Sequence, residues 1–527
     1  MLGIRKPATV LLLAASAAGL LGAAAASAQT LKVAMGSDVK ILDPIWSTAY
    51  IQRDFGYMVW DVLFAMDDKF EVKPEMVETW DVSPDKLTWT FTLRDNKWSN
   101  GEPVTSEDCI ASIKRWGARD SMGQRMMASV AGFEAVDART FRMKMKEPYG
   151  LVLQSLGKAS SSAPFMMPKK TAETLPTTQI KVEDVIGSGP FVFKADEWKP
   201  GEKVVFTRNT VSKPRAEPPS GLAGGKVARV DRVEWIWIPD AQTQVNALQN
   251  GEIDVIQAPP HDLLPILSTD KNVKLFDSNP LGSQYEFRFN TLLKPFDNPK
   301  IRHAAMVAFG QEEFLKATIG DPKYYKVCKA PFVCGTPLGS DDGMMEVLNQ
   351  DAAKARALLK EAGYDGTPVV LMQATDIAAM ANLAPVAKAQ LEAAGFKVDI
   401  QAMDWQTLVT RRAKKDPADK GGWNALFTYS GAADILNPVM ANLFNASCDK
   451  ATYGWPCDAE IERLRDAFAK ETDPAKQKQI AMDLQKHWVE APTFVNLGQL
   501  YQPSALRTNI DGMMAAPATV LWNITKK

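Results

Sequence analysis

From Arg232 to Ile256 the chain runs RVEWIWIPD, AQTQVNALQN, a glycine and then EIDVI. The first stretch is almost continuously apolar and reads as a strand. The second reads as a helix opened by Asp240 and ended by Gly251, and the third as another strand. Strand, helix and strand at this spacing make a βαβ unit, which demands a parallel sheet. The order recurs downstream. Val369 to Ala374 is a strand, Asp376 to Ala394 a helix ended by Gly395, FKVDIQAM a strand, Trp405 to Lys415 a helix and Trp423 to Tyr429 a strand. Pro385 inside the second of these kinks or restarts it. Two such regions in 527 residues predict an α/β protein of two or three packed domains.

Other segments fill in the order. A short strand spans Leu31 to Met35, Asp43-Pro44 fixes a turn, and a helix follows from about Ile51 to Phe64. In LTWTFTLR, Leu87, Trp89, Phe91 and Leu93 alternate with Thr88, Thr90, Thr92 and Arg94, the pattern of a strand with one buried face. Thr105 and Asp108 form a capping box for a helix through Ile110 and Ile113 to Trp116. Residues 209–229 are rich in Pro, Gly and Ser and are expected to form an exposed excursion. Asn298-Pro299 starts a helix, and helices Asp458 to Lys470 and Asp473 to Glu490 precede a strand beginning at Thr493. Three short Gly- or Pro-bearing stretches read as crossings between lobes: Ile186 to Pro190, Asn279 to Ser283, and Glu490 to Pro492.

Bulk charge excludes whole classes of partner. With 61 basic and 62 acidic residues the formal net charge is −1, so no global field recruits nucleic acid or an anionic membrane. Arg5 and Lys6 precede an apolar run from Ala8 to Ala26, and Ala26-Ser27-Ala28 has the small-x-small form of a cleavage site. We expect an exported chain cut after Ala28 and soluble once mature, with a retained anchor as the alternative. Export makes the cysteines candidates for disulfides. Cys328 and Cys334, and Cys448 and Cys457, each flank a short loop that a disulfide can close, while Cys109 is read as a buried free thiol.

Catalytic signatures are scarce. His261, His303 and His487 are scattered, which argues against an imidazole-built metal site. There is no G-x-S-x-G elbow, no H-E-x-x-H and no Walker loop; GLAGGKV near Lys226 has the wrong spacing. No metal or cofactor is therefore expected. The 14 tryptophans allow a sugar-gripping surface, but Trp89, Trp116 and Trp235 fall at core positions; Trp46 lies in the irregular stretch after Asp43-Pro44.

The segment TWDVSPDKLTWTFTLRDNKWSNGEPVTSEDCIASIKRW resembles the signature of family 5 extracellular solute-binding proteins, the dipeptide and oligopeptide receptors of ABC importers. Gly187-Ser188-Gly189-Pro190-Phe191 leading into EKVVFTRN, then FNTLLKPFDNPKIRHAAMVAF, then the C-terminal helices and strands agree with it in order. The resemblance implies an α/β, three-lobed fold like the type II periplasmic-binding proteins, two α/β lobes hinged around a ligand cleft. It implies a non-enzymatic, periplasmic, monomeric receptor working with permease subunits of an ABC transporter. The expected division is 29–63, 187–279 and 491–527 for the first lobe, 64–186 for an accessory lobe, and 280–490 for the second α/β lobe.

The stretch WNALFTYSGAADILNP, Trp423 to Pro438, carries the candidate site. Gly431, Ala432 and Ala433 are small enough for a ligand's main chain to approach, and Asp434 follows. On the residues alone, Asp434 either caps a helix or meets a ligand. The resemblance implies the second: an extended peptide between lobes, its α-ammonium on Asp434, with Ser430 and Ala432 as backbone partners and Trp46, Thr48 and Tyr50 at the cleft. The run Tyr429-Ser430-Gly431 and then Ala433 departs from the family's usual Gly-Trp and Gly. Alternatives are a non-peptide solute on the same scaffold, such as an oligosaccharide, opine or metal chelate, and an exported hydrolase. Arg411 and Arg412 are read as a solvated helix face, with a ligand-carboxylate contact as the alternative.

Overall fold

The computed structural model describes residues 29–527 together with Gly3. The expected leader lies, but for Gly3, outside the described residues, as does its cut after Ala28. Among the described residues no helix is long and apolar enough to cross a membrane.

Two mixed sheets and one antiparallel sheet carry the chain. The first has seven strands in the order Val273–Phe276, Ser504–Arg507, Val255–Ile256, Thr30–Ala34, Arg232–Ile236, Lys203–Arg208, Phe191–Phe193. The expected βαβ unit is present, with helix Ala241–Asn250 capped by Asp240 and closed by Gly251 in the left-handed conformation. Its two strands are not neighbours, however. Thr30–Ala34 lies between them and pairs in parallel with both. Such an insertion has no local signal, because which strands become neighbours is decided by pairing between segments distant in sequence.

The second sheet has six strands in the order Tyr325–Lys326, Phe494–Leu500, Ser283–Phe289, Ala425–Gly431, Val369–Ala374, Val398–Met403. Phe287 anchors its core, with ring centroids 5.0 Å from Phe309 and 5.4 Å from Phe427, while Phe289 lies 4.6 Å from Phe296. The helical span after Val369–Ala374 is broken as Pro385 requires: Ala378–Ala381 ends, and Leu383–Ala393 restarts with Pro385 in its first turn. Strand Phe494–Leu500 stays in this sheet, pairing with Ser283–Phe289, and the chain rejoins the first sheet only at Ser504–Arg507.

The third sheet, Val77–Val82, Thr88–Leu93, Thr140–Met145 and Val130–Ala135 in spatial order, is antiparallel throughout. Helix Ser106–Arg119 follows Thr88–Leu93 in sequence and begins with the predicted Thr105–Asp108 capping box. Cys109 is a buried free thiol, and the other two cysteine pairs stand at disulfide distance.

The expected exposed excursion at 209–229 holds for most of 213–219 and is corrected beyond them. Residues 221–226 are buried, the Leu222 N–H donates to the Met66 carbonyl, and Lys226 Nζ reaches Asp61 at 2.7 Å and Glu75 at 3.2 Å. Glycine-rich sequence signals turns, but the same lack of side chains lets backbone pack closely against backbone.

Candidate ligand-binding site

Helix Tyr50–Val59 is buried along nearly its whole length, yet Tyr50, Arg53, Asp54 and Tyr57 occupy one helical face at spacings of three and four. That face meets the end of strand Ala425–Gly431. The strand passes into a single 3₁₀ turn, Ala432–Asp434, so Asp434 closes a turn and opens no helix. The helix-cap reading is thereby set aside. All three hydrogen bonds to the Asp434 carboxylate come from hydroxyls far away in sequence. Tyr50 OH and Ser160 Oγ donate to Oδ2 at 2.9 Å each, and Ser161 Oγ donates to Oδ1 at 2.7 Å.

The carboxylate is 7 % exposed, and among the described residues no lysine or arginine pairs with it. Burial, then the negative charge of Asp434, push the Tyr50 phenol well above its ordinary range, so it stays protonated and donates. Tyr50 OH in turn accepts the Gly431 N–H at 2.6 Å. A Cβ at Gly431 would stand 3.3 Å from that hydroxyl, which explains a side-chain-free residue there.

Behind Tyr50, Arg53 lies 4.5 Å from the ring and donates to Ser160 Oγ at 2.7 Å and to Asp54 Oδ1 at 2.8 and 2.9 Å. Burial alone would lower the Arg53 guanidinium; Asp54, Tyr50 and Asp434 outweigh it and leave it raised. Asp54 is held further by Gln257 Nε2 at 2.8 Å. The network thus runs from the first sheet through helix Tyr50–Val59 and the serine run at 160–162 to the end of the second sheet.

The sequence profile of the bacterial extracellular solute-binding proteins, family 5 (middle), matches residues 71–452. The chain belongs to that family. This solute-binding protein is 38% identical over 508 residues to a probable peptide ABC transporter periplasmic-binding protein of Sinorhizobium fredii, covering 95% of this chain and 94% of the relative. It is 26% identical over 514 residues to the glutathione-binding protein GsiB of Salmonella paratyphi A, covering 94% of each. Among solved structures, the periplasmic binding protein DppA of Helicobacter pylori in complex with the peptide STSA superposes with a TM-score of 0.79 at 21% identity, over 94% of this chain and 98% of that one. AgaA of A. tumefaciens R10, in complex with agropinic acid, gives 0.78 at 21% identity, over 94% and 99%. These establish the fold as that of a family 5 periplasmic binding protein.

Within this solute-binding protein the residues singled out from sequence are not equally placed. Asp434 and Tyr50 are in direct contact. Ser430 sits on the same strand, its hydroxyl bonded to the buried Glu286. Ala432 is buried, with its N–H given to the Gly282 carbonyl and its C=O taken by the Ile435 N–H. Trp46 is half-buried, capped by the Arg119 guanidinium 4.7 Å over its ring, and Thr48 is exposed. The solvated-face reading of Arg411 and Arg412 is corrected. Arg411 donates to the carbonyls of Gly421 and Gly422 at 3.0 and 2.6 Å, and Arg412 packs over Tyr453 at 4.9 Å and Trp405 at 5.8 Å.

Sequence reasoning missed Arg53, Ser160 and Ser161. For Arg53 a signal existed, since adjacent Arg53 and Asp54 fall on the apolar pattern of a helix where solvated charges are not expected. The three serines at 160–162 carried none. Among the described residues no cluster of His, Cys, Asp and Glu could hold a metal ion.

Proposed function

We propose that this chain is a periplasmic receptor that takes peptides or peptide-like amines and delivers them to the permease of an ABC importer, binding without turnover. The carrying observation is Asp434: a buried carboxylate with three hydroxyl donors from two distant segments and, among the described residues, no lysine or arginine in direct contact with it. A ligand ammonium supplies that cation, as a charge-assisted bond strengthened by exclusion of water. The peptide-transport relative from Sinorhizobium and the glutathione-binding relative support an amine-bearing, peptide-like solute.

The proposed working parts are three lobes, 29–63 with 187–279 and the C-terminal return, 64–186, and a second α/β lobe from 280. The last boundary is drawn after Leu500, because Phe494–Leu500 belongs to the second sheet. Ser430, Tyr50, Trp46 and Thr48 complete the proposed rim, and Ala432 shapes it through its small size. Closure around the ligand raises the population of the shut form, which a permease can recognise.

The test is calorimetry of alanine peptides with free and N-acetylated amino termini. Free peptides are expected to bind, acetylation to abolish most of the affinity, and Asp434→Ala to cost about 2–5 kcal/mol. Indifference to both changes would reject the ammonium role.

A further inference from the structure

The region of the third sheet meets that of the second at another place besides the Asp434 network, around the C-terminal end of helix Ala459–Lys470. Gly150, which follows strand Thr140–Met145, donates its N–H to the Ala469 carbonyl at 2.8 Å. That carbonyl lies in the last turn of the helix, where the helix itself supplies no donor. Gly150 does not adopt a left-handed φ, so its backbone asks for no glycine. Its close approach does: an added Cβ would stand 2.0 Å from the Glu471 carbonyl oxygen. Charged and polar pairs surround this backbone bond. Arg125, on helix Ser121–Ser129, binds Glu462 at 2.6 Å and also Asp466. Lys470 reaches Glu147 at 3.0 Å, and Lys86 Nζ reaches the Thr472 hydroxyl at 3.1 Å. From Glu462 the contact continues inward. Arg465 donates to Glu462 at 2.5 Å and to the Pro438 carbonyl at 2.9 Å, and Pro438 stands on the segment that carries Asp434.

We infer that this contact, Gly150 seated on the end of helix Ala459–Lys470 with Arg125 beside it, is a closing clasp. It forms when the lobes shut, parts when they open, and keeps a fraction of the chain shut before any ligand arrives. The covalent chain does not impose it, because the second sheet is reached from the first only through 277–282 and 501–503. Its chemistry suits repeated parting. Asp466, Lys470 and Glu147 keep 60, 49 and 45 % of their side-chain surface exposed, so each returns to water at little cost when the contact breaks. These bonds join the chain to itself, and therefore favour the shut form with any cargo and with none. Each is individually weak, so open and shut forms coexist, and a ligand shifts the same equilibrium further by adding its own contacts. The inference rests on the hinge of the proposed function and not on the ligand named there.

Small-angle X-ray scattering of the purified chain, stripped of co-purified solute, reads the open fraction through the radius of gyration. Gly150→Leu, whose side chain blocks the approach to Glu471, is expected to show a larger radius than the native protein. Raising the salt from about 20 mM to about 500 mM should expand the native protein and leave Gly150→Leu unchanged, because the screened pairs belong to the clasp. Thermal melts verify that the variant is folded. Should it fail to fold, the double variant Arg125→Ala with Glu147→Ala takes its place under the same expectations. Equal radii for native and variant protein at low salt overturn the clasp, whether both are open or both are shut; so does a native radius indifferent to salt. Tri-alanine binding, measured separately, bears on the receptor reading alone: its absence leaves the scattering test intact, and equal radii leave peptide binding untouched.

Discussion

Asp43 and Asp434 are both buried carboxylates that tie remote parts of the chain together, and they are partnered by opposite rules. Asp43 meets Arg115 through a two-pronged pair at 2.6 and 3.1 Å, with 0 % and 2 % of the two side chains exposed, and accepts the N–H groups of Ile45 and Ile180 as well. Its charge is fully answered by the chain. Asp434 is answered by three neutral hydroxyls, those of Tyr50, Ser160 and Ser161. A charge serving architecture is neutralised at folding, whereas under the proposed function Asp434 is left for a ligand to neutralise.

Breaking the architectural pair should give the largest effect. Arg115→Met strands Asp43 in the interior and is expected to lower folding stability by about 3–5 kcal/mol, read by chemical denaturation, while the fraction that stays folded keeps its ligand affinity. Asp434→Ala should do the reverse. Binding falls as stated above, yet stability without ligand moves by less than about 1 kcal/mol, because opening of the lobes lets Tyr50, Ser160 and Ser161 hydrogen-bond to water. If both substitutions destabilised equally, the contrast would collapse.

Glu286 sharpens the comparison through pH. Its folded value of about 7 exceeds the ordinary 4.5, chiefly through burial and secondarily through the Asp434 charge, against the Ser430 bond and Arg288. The stability it contributes is complete below about 4.5 and is lost as pH rises through 7. Comparison of Glu286→Gln with the native protein between pH 4.5 and 8 should isolate a difference of at most about 3 kcal/mol, with the variant the more stable at the alkaline end. The smallest effect belongs to Arg125, which binds Glu462 at 2.6 Å and Asp466 between helices Ser121–Ser129 and Ala459–Lys470. Arg125→Ala should weaken ligand binding by less than about 1 kcal/mol, and the difference should fade in high salt.

What could be seen in the sequence was what depends on near neighbours. The Thr105–Asp108 box, the Asp240 cap with Gly251, the Asn298-Pro299 start and the restart around Pro385 each follow from four or five adjacent residues. The insertion of Thr30–Ala34 between two strands more than 200 residues away in sequence does not. Nor does the burial of Leu222, or the meeting of Asp434 with Ser160 and Ser161 across 274 and 273 positions. Asp434 and Tyr50 were legible through a family pattern, whereas Ser160 and Ser161 stand in a run of serines that carries no such mark.

The two sheets are joined by paired strands and not by single threads. Val273–Phe276 lies against Ser504–Arg507 in one sheet, Ser283–Phe289 lies against Phe494–Leu500 in the other, and only 277–282 and 501–503 run between. At Gly282 the two tethers come so close that an added Cβ would lie 2.0 Å from the Leu500 carbonyl oxygen. Such a ribbon swings readily about one axis across its width and resists both sliding and wrenching, as a strap hinge does on a gate. Each closing stroke therefore returns Asp434 to the same three hydroxyls, whatever cargo has been taken between the jaws.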